Sequence, residues 1–153
     1  MLFRSYQSQQ NYPLALATVR EGMKRYPKSD FDEELQKIAD AILTPKMEVA
    51  CETVYPGKEG KLELRSCNLK GMTIEVYRLD LTASDPAFAT GVEPKELVKA
   101  HGKRVASTHY DLPDTPLYKD SVTHVTYRMP AEGIYVMKSI ADGHADKIGR
   151  AHV

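Results

Sequence analysis

The sequence predicts a mainly β chain: an antiparallel β-sandwich of about seven strands over residues 45–153, preceded by an α-helical hairpin over residues 1–44. Three observations lead there. Apolar residues recur at helical spacing up to residue 44, they alternate with polar ones from Lys46 onward, and "LTPK" separates the two regimes. Pro45 cannot continue a helix and pushes Thr44 out of the α region.

In the helical part, Asn11 is placed to cap a helix whose first turn holds Pro13. Ala15, Val19, Gly22, Met23 and Tyr26 then repeat along one face until Pro27. Ser29 and Asp32 form a capping-box-like start for a second helix, and Phe31, Leu35, Ile38 and Ile42 make a single apolar stripe. Two antiparallel helices follow, with a shorter one beginning near Phe3. The spacing of Tyr6, Ala15, Val19, Gly22 and Pro27 resembles the last two-thirds of a tetratricopeptide repeat. A plain helical hairpin packed on the sandwich accounts for the same residues. Under either reading the stripe is packing, and because one repeat cannot bury its own face, the repeat reading expects further repeats upstream that have been removed.

From Lys46 the period is two. Met47, Val49 and Cys51 alternate with Glu48, Ala50 and Glu52; Leu62 and Leu64 alternate with Lys61, Glu63 and Arg65; Met72, Ile74 and Val76 alternate with Thr73 and Glu75. "YPGKEG" and "NLKG" supply the turns between these three strands. "KRVASTHY", "SVTHVTYRM" and "GIYVMKSIA" read as strands four to six, and "DKIGRAHV" as a seventh. A core of about a dozen apolar side chains, each contributing ~1.5–3 kcal/mol on burial, offsets the ordering entropy without a metal or disulfide.

Composition narrows the function. Lys+Arg and Asp+Glu are equal at 21 each and neither forms a long block, which argues against a nucleic-acid or anionic-membrane partner. The apolar runs are too short for a spanning helix, so membrane insertion by this piece is not expected, and "MLFRSYQSQQ" turns polar too soon for a signal peptide.

"MPAEGIYVM" reads as a turn locked to a strand. In immunoglobulin-like sandwiches a Tyr near the start of the sixth strand, after a tight corner, bonds back to the corner's backbone. Tyr135 is placed for that role, with Pro130 and Gly133 shaping the turn; Met137 stands where antibody domains carry a Cys, so their disulfide is missing.

Taken together, "REGMKRYPKSDFDEELQKIADAIL", "PKMEVACETVYPGKEGKLELRSCNLKGMTIEVYRLDL" and "MPAEGIYVM" with "SIADG" resemble the amino-terminal region of the large alpha-2-macroglobulin-like proteins of Bacteroidetes. In that family a helical segment precedes a first macroglobulin-like sandwich. Its "PG" turn corresponds to Pro56 and Gly57, its Asn before a third strand to Asn68 ahead of Val76, Tyr77, Arg78 and Leu79, and its corner to Pro130, Gly133 and Tyr135. The corner departs from the family pattern: Met129 replaces Leu, and one extra residue precedes Gly133. The resemblance implies a non-catalytic structural module of a larger envelope or secreted bacterial protein, located in the periplasm, at the outer-membrane surface or outside the cell. Its signal segment would lie elsewhere in the full-length chain. Its partners would be the other domains of that chain, with proteases engaged only by the whole. The alternative is a stand-alone immunoglobulin-like adhesion or glycan-binding module. The absence of Trp, and the location of most of the nine Tyr in strands or helices, weigh against that alternative.

No catalytic, cofactor or metal residue is assigned. Neither "CETV" nor "CNLK" has the Cys-x-x-Gln spacing of a macroglobulin thioester. Cys51 has the apolar parity of its strand and Cys67 the polar parity of the next, so two free thiols are expected unless a bulge near Ser66 restores pairing. "DGHAD" (Asp142, His144, Asp146) and "HYDLPD" (His109, Asp111, Asp114) lack a full zinc or calcium ligand spacing and read as polar turns. The long connection Asp80–Gly102 contains "EPKELVKAHG", a short helix opened by Pro94. It is either a helical cap over a sheet edge, burying Leu97 and Val98, or a partner-binding loop presenting Pro94, Lys95, Lys99 and His101.

Overall fold

The computed structural model describes residues 2–52, 57–80, 92–129 and 131–143. The chain is mainly β. Helices α1 (Leu2–Ser8), α2 (Tyr12–Arg25) and α3 (Asp32–Leu43) come first, followed by β1 (Lys46–Cys51), β2 (Glu59–Cys67) and β3 (Gly71–Leu79). Then come α4 (Pro94–His101), β4 (Gly102–Asp111), β5 (Ser121–Arg128) and β6 (Ile134–Ala141). Helix gives way to strand at Thr44, whose φ −61° and ψ 127° are the extended geometry that a following proline imposes.

Asn11 caps α2, its Oδ1 accepting the Leu14 N–H at 3.4 Å. α3 starts differently from the sequence expectation. Its N-cap is Phe31, which makes no side-chain cap; Ser29 and Asp32 do pair, the Ser29 hydroxyl donating to the Asp32 carboxylate at 3.5 Å, and that carboxylate also turns back to accept the Lys28 N–H. Ala15, Leu16, Val19, Ala39 and Ile42 form the helical core. Tyr26 and Phe31, read from the sequence as stripe members, are 68% and 60% exposed. Each lies just outside its helix, so the helical period no longer aims the side chain at the core.

Among the described residues six strands form two antiparallel sheets, ordered β1-β2-β5 and β4-β3-β6. Alternation decides their faces: along β2, Leu62, Leu64 and Ser66 are buried while Lys61 and Arg65 are exposed. One apolar cluster draws on both sheets, with Leu62 and Leu64 from β2, Met72 and Ile74 from β3, and Tyr135 and Met137 from β6. Three connections, β2–β3, β4–β5 and β5–β6, carry the chain from one sheet to the other. β4 departs from the alternation and is exposed along nearly its whole length. Among the described residues it is an edge strand, and a bulge leaves Val105 out of the β3–β4 register between Ala106 and Arg104. The seventh strand read over 146–153 lies outside the described residues.

α4 begins at Pro94 and ends at Gly102, but it is not an edge cap. It lies over the outer face of the second sheet, where Pro94, Lys95, Val98 and Lys99 stand across from Tyr77, Val136 and Lys138. Gly102 leads straight from α4 into β4, and no spare residue carries the helix past the strand. Leu97 and Val98 are accordingly only half-buried.

Helices and sheets meet at Asn68, which has φ 58° and turns β2 into β3. Its Nδ2 donates to the Ile42 carbonyl at 2.7 Å, satisfying one of the acceptors that a helix C-terminus leaves open. Its own N–H donates to Thr115 Oγ1 at 2.8 Å, and Tyr118 from the same β4–β5 connection packs against the helical core.

Candidate functional site

The richest polar cluster stands on the outer face of the second sheet, beside α4. Glu75 has outward parity on β3, yet its side chain is only 12% exposed. Tyr77, two residues on and on the same face, donates its hydroxyl to Glu75 Oε2 at 2.8 Å; Arg104 from β4 donates to Oε1 at 2.8 Å. Lys138 of β6, directly across the ladder from Glu75, brings Nζ to 3.9 Å. The Tyr77 hydroxyl, then Arg104 and Lys138, hold the Glu75 carboxyl below the usual carboxylate range against the opposing effect of burial. The same bond pushes the Tyr77 hydroxyl above its ordinary value. Both Glu75 oxygens are thus engaged and the group is kept ionised, which suits it to fixing cations in place.

Next to this network a recess of about 240 Å³ opens between α4 and the sheet, lined by Tyr77, Pro94, Lys95, Val98, Lys99, Val136 and Lys138. Three of the four residues named from the sequence, Pro94, Lys95 and Lys99, meet here. His101 does not. It lies at the far end of α4 with Arg78, Asp80 and Lys103, around a separate hollow. Sequence reading missed Glu75, Tyr77, Val136 and Lys138. Strand alternation puts each on an outer face, but the pairing of Tyr77 with Val136 and of Glu75 with Lys138 is set only by the β3–β6 register.

At the corner, the Tyr135 hydroxyl donates to the Ala131 carbonyl at 2.9 Å, and the ring is 1% exposed. A β-carbon on Gly133 would meet Arg78 Nε at 3.1 Å and the Tyr135 ring at 3.4 Å, so the backbone runs close against both. Pro130 lies outside the described residues.

His109 joins the two acidic motifs that the sequence kept apart. Its Nε2 is 3.6 Å from Asp111 Oδ1 and 3.7 Å from Asp142 Oδ2, and its Nδ1 is 3.2 Å from Thr73 Oγ1. His144 and Asp146 lie outside the described residues, and among the described residues no group of three or more His, Cys, Asp or Glu is arranged to hold a metal ion. Cys51 and Cys67 are not bridged to each other: they stand against Leu62 and Lys46, at opposite ends of the β1–β2 ladder. Burial raises the Cys51 thiol above its ordinary value, which lowers its thiolate fraction and its reactivity.

Set beside known proteins, the chain matches no family model and no curated sequence. Among the described residues no helix is long and apolar enough to cross a membrane.

Proposed function

We propose that the chain is a non-catalytic structural module of a larger envelope or secreted alpha-2-macroglobulin-like protein, its two sheets forming an immunoglobulin-like sandwich. Strand order carries the reading. Taking β1, β2 and β5 as strands A, B and E, and β3 and β6 as C and F, the A-B-E and C-F groupings of that fold correspond to the two sheets, with β4 beside C. The bond from the Tyr135 hydroxyl to Ala131, at the start of the F strand, supports a tyrosine corner. Asn68, the residue that the resemblance sets before the third strand, ties helices and sheets into one piece suited to a wall position. Protease inhibition or defence would belong to the full-length protein in the periplasm, at the outer-membrane surface or outside the cell.

The coding sequence on both sides tests this. Further sandwich domains downstream and helical repeats upstream support it; a stop codon directly after Val153 together with an initiating Met1 overturns it. Incubation with a protease panel tests the non-catalytic part, where a stable covalent adduct is the overturning result.

One observation favours a stand-alone adhesion or glycan-binding module. Tyr26 and Phe31 are both exposed beside a mostly apolar hollow of about 440 Å³. That hollow lies between α2 and α3, however, where a neighbouring helical repeat would stack, and we prefer the structural reading.

A further inference from the structure

We infer that the recess beneath α4 docks an extended acidic peptide segment of a partner protein, with one apolar side chain in the recess and carboxylates on Lys95 and Lys99. This stands independently of the macroglobulin-like reading.

The recess has an apolar floor and a cationic rim. Val136, 5% exposed, forms its base with the Tyr77 ring, while Val98 and Pro94 close the helix side. The volume of about 240 Å³ suits one aromatic or branched side chain. Lys95 and Lys99 lie one helical turn apart, both exposed, and Lys138 faces them across the opening. Among the described residues Lys95 and Lys99 have no ion-pair partner, and the acidic residues of the helix region, Glu93 and Glu96, do not line the recess. The one carboxylate beneath, Glu75, is already engaged by Tyr77 and Arg104.

Like charges at i and i+4 repel in the free protein, and a bound anion relieves that repulsion. Their spacing of about 5–6 Å approaches the roughly 6.6 Å between alternate residues of an extended chain, which point to the same side. Two carboxylates at alternate positions therefore meet Lys95 and Lys99, and the next alternate residue enters the recess. A simple inorganic anion would meet the rim and leave the apolar floor uncovered.

The test is fluorescence anisotropy with the full chain and a fluorescein-labelled Ser-Glu-Ser-Glu-Ser-Phe-Ser peptide. Saturable binding is expected, weakened at least tenfold by Phe→Ser in the peptide, by Lys95→Gln with Lys99→Gln in the protein, and by raised salt. Val98→Phe, which fills the recess and leaves every charge in place, is expected to abolish binding, with circular dichroism verifying the fold of each variant. Equal binding of the Phe→Ser peptide, or displacement by inorganic phosphate at the peptide's own concentration, reveals charge attraction alone and overturns the proposal. So does an unchanged affinity in the double lysine variant, or self-association of the chain that occludes the recess.

Discussion

Asn68 and Ile42 are joined by a 2.7 Å hydrogen bond from the Asn68 side-chain amide to the Ile42 carbonyl, so the β2–β3 turn closes the last turn of α3. Asn68 is suited twice over: its short amide reaches the carbonyl, and asparagine tolerates the left-handed φ of 58° better than most side chains. Asn68→Gly keeps the turn and removes the amide, and is expected to cost about 1 kcal/mol. Asn68→Ala adds the strain of a β-carbon at positive φ, about 1–2 kcal/mol more. Urea denaturation separates the two, and wild-type stability in Asn68→Gly would mean that water replaces the bond without loss.

Tyr135→Phe is expected to lower stability by about 1 kcal/mol. The cost stays modest because Ala131 is exposed and its freed carbonyl can turn to solvent. An unchanged urea midpoint would show that the ring alone matters.

Ser66 offers the opposite sign. Its Oγ is the buried side-chain polar atom without a hydrogen-bond partner among the described residues, in a residue 1% exposed. Ser66→Ala removes an unpaired hydroxyl from the core and is expected to stabilise by about 1 kcal/mol. A lowered thermal midpoint would indicate a partner, such as an internal water, that the hydroxyl needs.

Two glycines should rank differently. A β-carbon on Gly102 would lie 2.5 Å from the Val98 carbonyl oxygen, a backbone atom, so Gly102→Ala is expected to cost about 1–3 kcal/mol by shifting α4. At Gly71 the obstacles are the Asp142 carboxylate and His109 ring, both half-exposed and able to swing away. Gly71→Ala should therefore cost under about 1 kcal/mol. The reverse order in chemical denaturation would contradict the tight passage from α4 to β4.

Acid should weaken the second sheet through Glu75. Its folded-state carboxyl lies below the ordinary value, so the stability it contributes is present above the unfolded value of about 4.3 and is lost as pH falls through the folded value. Glu75→Gln removes that dependence. Thermal midpoints between pH 7 and pH 3 should fall less steeply in Glu75→Gln than in wild type, and parallel curves would contradict the assignment.

The strands were legible because alternation is local: β1, β2 and β3 lie where Met47, Leu62 and Met72 begin to alternate with charged neighbours. The start of α2 was legible for the same reason, since Asn11 acts within one turn. Cys67 was not. It shares the parity of Lys61 and Arg65 yet is 1% exposed, because it adjoins Asn68 where α3 meets the sheets. Glu75 looked like a solvent-facing charge and is enclosed by residues from three strands. Local pattern assigns a side chain to a face, while what covers that face depends on partners distant in sequence. The recess under α4 needed both the β3–β6 register and the position of the helix, neither of which leaves a local trace.

The three sheet-changing connections also govern how quickly the chain reaches its native state. The β1–β2 and β3–β4 pairs join successive strands, but Leu62 must find Val125 and Ile74 must find Ser139 before the shared core closes. Such distant pairings carry their loop-closure cost before any burial rewards them, which slows folding relative to chains held by local contacts alone. Until β5 and β6 arrive, the inward sides of β2 and β3 stay wet and adhesive. Expression yield should therefore depend more on the speed of those two late arrivals than on the depth of the final energy minimum.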